Sequence, residues 1–333
     1  MEVNLFMADT ISLEEALTSW ILGGYEYSVI TREKIAEQVY FFYKEKSYRE
    51  QKIRQISKAS SDSKDYSTNI DRLLRSGVLV RFGEVPQRKG TAYTAMAWDD
   101  GGMDGFYVIS GKPRYTAQES ISTFFPYGYV SHISAMEWYG LTDKVPKVVR
   151  FTTCSKVEWK GRFESEFVTR FGSNKEFKDF VPKYPKAGLF FEGKELLVSS
   201  ETNYVEPASV RGTPMRVSTI GKTFIDMFRH PSFCGGDEHV YDVFLEHGKK
   251  YSKQIIADLE KYGRKIDKAR LGFMLDKVLG VKHEKINIWR EEARHERGGS
   301  KVLSTDRPFS SVYDEDWSIS LNMEVVKAYG SEN

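Results

Sequence analysis

The sequence predicts an α+β chain in two parts: a small helical domain closed by a basic helix and hairpin, then a mixed α/β region ending in a bundle of helices. Three observations predict it. Residues 66–76 carry Ile70, Leu73 and Leu74 at helical spacing and run directly into a strand-like 78–82. Residues 99–105, Asp-Asp-Gly-Gly-Met-Asp-Gly, are the sharpest change of composition and read as a turn-rich linker. From Gly221 onward the apolar period becomes helical. The expected domains are therefore 1–98 and 106–333, joined by 99–105.

A length of 333 residues suits two domains with substantial cores. Hydrophobic content of 40% with 29% charged residues is that of an ordinary soluble globular chain. No apolar run is long enough to span a bilayer, and the acidic N-terminus is unlike a signal peptide, so a cytoplasmic protein with no membrane partner is expected. Cys154 and Cys234 lack a close-spaced partner and read as reduced structural thiols. The net charge of +2 is uninformative, but its distribution is not. Residues 1–37 hold seven acids against two bases, and residues 44–98 hold twelve bases against six acids. The basic stretch is the one containing the helix and hairpin, the footprint expected of phosphate contacts.

Taken in order, Ser12 with Glu15 marks a capping box and opens a helix over 12–22. Thr31 caps a second helix with Ile35, Val39 and Phe42 along one side. Residues 48–58 extend that helix or form another, and 60–65 is a polar break. The 66–76 helix follows, with Thr68, Arg72 and Arg75 opposite its apolar face. Gly77 ends it, 78–82 is a strand, 84–90 is a turn carrying Arg88 and Lys89, and 91–97 returns. A helix with a cationic outer face beside a hairpin with a cationic tip is the pattern of a winged helix-turn-helix, in which the helix enters the DNA major groove and the wing follows the backbone.

Beyond the linker, Phe106–Ile109 reads as a strand. Thr116 with Glu119 opens a helix to 124, and 129–140 is a helix closed by Gly140. Short strands are expected at 145–153, 164–171, 189–191, 195–199 and 215–219. Helices follow at 221–229, which stops before Pro231, and at 237–247, 252–262 and 267–279. A Gly298-Gly299-Ser300 turn precedes a final strand over 317–322. No internal repeat is present.

Few constellations carry chemistry. Gly221-Lys222-Thr223 matches the end of a phosphate-binding loop, but Arg216 stands where the first glycine is required, so a plain strand-to-helix turn is expected. The six histidines form no metal-spaced pair, and there is no G-x-S-x-G elbow. Glu164, Glu166, Glu192 and Glu195 with Lys194 on adjacent strands would suit a Mg²⁺-dependent nuclease, against the commoner reading of solvated strand faces. His132 between Ser131 and Ser134 lacks an orienting carboxylate and reads as structural. No metal, cofactor or catalytic residue is assigned.

Several blocks of the second part resemble one family. These are Tyr129-Val130-Ser131-His132-Ile133-Ser134-Ala135 running to Tyr139-Gly140-Leu141-Thr142 and Val145-Pro146; residues 217–229 with Pro231 and Gly235-Gly236; Ala269-Arg270-Leu271-Gly272; and the Gly298-Gly299-Ser300 and Trp317 to Asn322 end. Together, and in this order, they resemble AbiEi-type antitoxins of type IV toxin–antitoxin systems. The chain departs from that pattern at Gly221-Lys222-Thr223, where an acidic residue, Arg and Thr are usual, and in its long 32–58 region. The resemblance implies a non-enzymatic, DNA-binding autorepressor and antitoxin of an abortive-infection, phage-defence operon. It would bind operator inverted repeats and oppose a nucleotidyltransferase-like toxin without a stable complex. Thr68, Asn69 and Arg72 would then reach base edges, Arg75, Arg81, Arg88 and Lys89 would contact phosphates, and Ser67 would belong to the same DNA-binding face. Arg211, Arg216, Lys222, Arg229, Lys268 and Arg270 would be the basic candidates of the antitoxin part. A stand-alone winged-helix regulator and a winged-helix-targeted nuclease are the alternatives.

Overall fold

The computed structural model describes residues 10–54, 56–83, 103–173, 177–295 and 301–332. The mixed α+β content matches the expected class. The chain divides into two compact units: Met1–Tyr127 with Ser155–Glu192 and Arg211–Met215, and Gly128–Cys154 with Gly193–Val210 and Arg216–Asn333. The 99–105 segment expected to separate domains thus falls inside the first unit. No helix among the described residues is long and apolar enough to cross a membrane.

In the first unit, Ser12 and Glu15 form the expected capping box on the helix Leu13–Ser19. The strand Val29–Thr31 leads into the helix Arg32–Glu45, capped by the Thr31 hydroxyl. That helix does not continue through 48–58. Lys46 takes a left-handed φ of 55°, and a hairpin follows, Ser47–Tyr48 against Gln51–Ile53. Its two turn residues, Arg49 and Glu50, have φ of 47° and 69°, which a helix cannot accommodate but a two-residue hairpin turn requires. The next helix, Ser63–Arg75, starts three residues earlier than its apolar stripe because Asp62 and Asp65 form a second capping box. Gly77, at φ 73°, ends it.

The strand Leu79–Arg81 pairs antiparallel with Phe106–Ile109, whose other edge takes Val29–Thr31. The return strand expected at 91–97 lies outside the described residues. The strand that closes this three-stranded sheet is Phe106–Ile109, which the local pattern had placed in the other domain. Ala16, Leu17, Ile35, Val39, Ile70, Leu73 and Leu79 are all buried in this unit. Further along, Thr116 and Glu119 cap the helix Ala117–Phe124 as expected. The strand expected over 164–171 is instead the second half of a helix, Lys156–Phe171, capped by Ser155. Trp159, Phe163 and Phe167 recur every four residues and are buried, so tertiary packing overrides the strand preference of aromatic residues.

In the second unit, five strands lie in the order Ala208–Ser209, Arg216–Val217, Gly128–Val130, Val148–Cys154 and Lys194–Glu201. The 129–140 segment expected to be one helix divides into the strand Gly128–Val130 and the helix His132–Trp138, because its first residues pair with Val148–Cys154. The helices Ile220–Arg229, Asp237–His247 and Ser252–Tyr262 follow closely the expected spans. Lys265–Phe273 continues as a wider turn through Met274–Val278, and Glu284–His295 is a helix the sequence pattern did not single out. Phe224, Phe228, Phe244, Leu271, Leu275, Trp289 and Trp317 belong to the common core of this unit.

Gly272 lets its helix meet the ring of the buried Trp317 at close range: a Cβ there would stand 2.2 Å from a ring carbon. Gly272→Ala is therefore expected to destabilise by about 1–3 kcal/mol through overpacking. A melting temperature unchanged from the parent protein would contradict this.

Candidate nucleic-acid interface

The helix Ser63–Arg75 is held by its N-terminus and by one face. The Asp62 carboxylate accepts from the backbone of Lys64 and Asp65 at 3.0 and 3.1 Å, and the Asp65 carboxylate accepts from Asp62 N at 3.0 Å. Lys58 Nζ lies 3.0 Å from Asp62 and 3.1 Å from Asp65, and these contacts hold the Asp62 carboxyl below its ordinary range. Tyr66, Asn69, Ile70 and Leu73 point inward. Lys64, Thr68, Asp71, Arg72 and Arg75 are exposed and spaced to form one stripe.

Two of the expected DNA-binding residues are not on that stripe. Asn69 is 4% exposed, and its Nδ2 donates at 2.8 Å to the carbonyl of Asp65 on its own helix. It is a packing residue of the inner face, so its amide is not presented to a groove. Ser67 is half-buried; its hydroxyl donates to Ser63 O at 3.0 Å and accepts from Arg32 Nη2 at 3.4 Å. Arg32 in turn lies 3.5 Å from Asp179, so Ser67 belongs to a scaffold network. Thr68, Arg72 and Arg75 keep the exposure expected of them, and Arg81 is exposed at the end of its strand. Arg88 and Lys89 lie outside the described residues.

The hairpin at 47–53 adds cations the sequence reading did not place. Lys46, Arg49, Lys52 and Arg54 are all exposed, with Arg54 at 3.9 Å from Glu15. Alternation of Ser47, Tyr48 and Gln51 to Ile53 is a strand signal, but Arg49-Glu50 lacks the Asn-Gly or Gly character that flags such a turn.

The basic residues expected to serve the antitoxin part do not form a cationic surface. Arg211 is exposed but belongs to the first unit. Arg216 Nε donates to Gly128 O at 2.9 Å. Lys222 is fully buried, with Nζ 2.9 Å from Glu201 and also paired with Asp226. Arg229 donates to Asp267 at 2.6 Å and to Tyr262 O at 3.2 Å. Arg270 is buried and donates to Val302 O and Phe228 O. Lys268 lies 3.1 Å from Glu260 and over the Trp289 ring. Burial and internal ion pairing, which spacing along the chain does not reveal, account for the difference.

Gly221-Lys222-Thr223 opens a helix, as a plain turn should. Asp258 occupies the place an anion would need, accepting from Lys222 N at 2.9 Å and from the Thr219 hydroxyl at 2.6 Å. Gly221 permits that approach, since a Cβ would stand 2.3 Å from Gln254 O. Glu164 and Glu166 lie on the Lys156–Phe171 helix, away from any strand, and Lys194 pairs with Glu137 at 3.3 Å. Among the described residues no group of three or more His, Cys, Asp or Glu could hold a metal. Cys154 and Cys234 are both buried free thiols.

No protein-family model and no curated protein matches the chain. Among solved structures it is similar to the crystal structure of the RV2827C protein from Mycobacterium tuberculosis, with a TM-score of 0.46, 11% identity and 96% of each chain covered. A likeness at that level assigns neither family nor function.

Proposed function

We propose that the first unit carries a winged-helix DNA-binding module and that the protein is a sequence-specific, operator-binding repressor. The observation that carries this reading is the exposed Lys64, Thr68, Arg72 and Arg75 stripe on a helix whose other face is packed. The order of elements supports it: helix, strand, helix, a short hairpin, the Ser63–Arg75 helix, strand, then the central strand Phe106–Ile109 after a long connection that carries Arg88 and Lys89. Thr68 and Arg72 would read base edges, Arg72 pairing with guanine O6 and N7. Lys64, Arg75, Arg81 and the hairpin cations would hold phosphates and set register. The antitoxin role, and a nucleotidyltransferase-like toxin as its counterpart, rest on the block resemblance of the second part. They are tested by whether co-expression rescues cells arrested by a neighbouring toxin gene.

Gel-shift titrations on upstream and scrambled duplexes test the DNA reading. Arg72→Ala is expected to lose about 1–3 kcal/mol of discrimination between them, whereas Lys52→Ala weakens both alike and lowers the salt slope. Asn69→Ala is expected to leave discrimination intact. Equal losses on both duplexes for Arg72→Ala would remove its base-reading role, and no preference in the parent protein would remove the repressor reading.

A further inference from the structure

One face of the second unit's sheet carries a run of polar side chains that are buried or half-buried. The register sets Tyr129 opposite Thr152, and Arg150 opposite Leu197, so Tyr129, Ser131, Arg150, Thr152 and Glu201 share a face. The helix Ile220–Arg229 lies over it, since Lys222 reaches Glu201. Buried polar groups are normally satisfied, and those left over call for a reason. Here six polar atoms have no hydrogen-bond partner: Tyr129 Oη, His132 Nε2, Arg150 Nε, Ser218 Oγ, Asp226 Oδ2 and Arg229 Nε. Tyr129 is 0% exposed and His132 2%. Two of them, His132 Nε2 and Arg150 Nε, are donors that come to one corner beside Phe233, so a partner there must accept.

Arg150 and His132 meet at one ring. The Arg150 guanidinium sits 3.8 Å from the centroid of Phe233, and the His132 ring lies 5.4 Å from it. No carboxylate pairs with Arg150 among the described residues, and desolvation lowers the pKa of this half-buried cation. The Thr152 hydroxyl donates to Ser131 Oγ at 2.8 Å, and Ser131 Oγ is 2.8 Å from His132 Nδ1. With the Ser131 proton directed to Nδ1, the imidazole proton stands on Nε2 as a donor with nothing to receive it. His132 also holds a φ of 52°, a strained value for a non-glycine residue and one that clusters at ligand sites. Exposed His230, its ring 5.3 Å from Phe233, marks where the corner reaches the surface.

We propose that Arg150, His132 and Phe233 form a binding site for a small phosphate-class oxyanion, with the guanidinium as charge partner and His132 Nε2–H as a second donor. This site is separate from Gly221-Lys222-Thr223, where Asp258 already fills the helix end.

The test is thermal unfolding of the full chain with inorganic phosphate, against sodium chloride at matched ionic strength. A saturable rise of roughly 5–10 °C is expected at a hundredfold excess over Kd. Arg150→Gln is expected to abolish it and Arg211→Gln to leave it unchanged. Phe233→Leu, which keeps the charge and removes the ring platform, is expected to weaken phosphate affinity by about tenfold. It serves as the second variant should Arg150→Gln not fold. Acetate at equal concentration is expected to shift the transition less. No rise beyond chloride, a full response in Arg150→Gln, unchanged affinity in Phe233→Leu, or a larger response to acetate would each overturn the assignment.

Discussion

Asp226→Ala is expected to destabilise the second unit by about 3–5 kcal/mol. Lys222 has a side chain 0% exposed, and its ammonium is held between Asp226, also 0% exposed, and Glu201, 20% exposed. Burial by itself would pull the ammonium pKa down, but the two carboxylates outweigh it and hold the group above its ordinary value. Removing Asp226 strands a charge in a site with little access to water, and the remaining partner at 2.9 Å is nearer the surface. The pair is not thereby a source of net stability. Replacing both members by apolar residues of similar volume, as in Lys222→Met with Asp226→Leu, is expected to cost far less than either alone. Urea unfolding of the two single variants and the double variant reads this directly. A double variant as damaged as the sum of the singles would show that each acts independently and would defeat the argument.

The same pair shows what the sequence discloses and what it withholds. Contacts within one helical turn were legible. Ser12 with Glu15 and Thr116 with Glu119 cap their helices, and the spans 237–247 and 252–262 follow from apolar period alone. Some local signals were present but outweighed. Asn69 falls between Tyr66, Ile70 and Leu73 on the helical wheel, so its burial follows from the spacing even though its chemistry suits base reading. Trp159, Phe163 and Phe167 carry helical spacing, yet the aromatic run 163–171 also suits a strand. Partnerships across long intervals left no local trace. Phe106–Ile109 pairs with two strands that both lie before a long connection, and Lys222 finds Glu201 and Asp258 at separations of 21 and 36 residues. The candidate recognition face was therefore readable, because it depends on one helix. The polar sheet face beneath Ile220–Arg229 was not, because strand register creates it.

Stability is expected to decline as pH falls from about 6.5 toward 3, with His132 supplying a slope of about 1.4 kcal/mol per pH unit. Its folded pKa is lowered to about 3, first by burial and then by the charges of Lys222, His230 and Arg150, with Glu201 opposing them. In the unfolded chain the imidazole titrates near its ordinary value. Between those two pH values the unfolded state binds a proton that the folded state refuses, so acid favours unfolding. The contribution is complete above the unfolded pKa and is lost as pH falls through the folded one. Asp267, held at about 2 by Arg229 and Arg264 against the opposing effect of burial, adds to the loss only below the ordinary carboxylate range. Glu33 and Asp314, whose carboxyls burial raises, oppose this trend, so the difference between the parent protein and a His132 variant is what isolates the imidazole. His230 is exposed, so solvent screens its share. His132→Asn is the informative variant, since asparagine tolerates a φ of 52° better than other side chains do. Its urea midpoint is expected to vary less with pH between about 6.5 and 4.5, by close to one proton. Parallel pH profiles for the parent and the variant would mean that His132 is not the group being refused a proton.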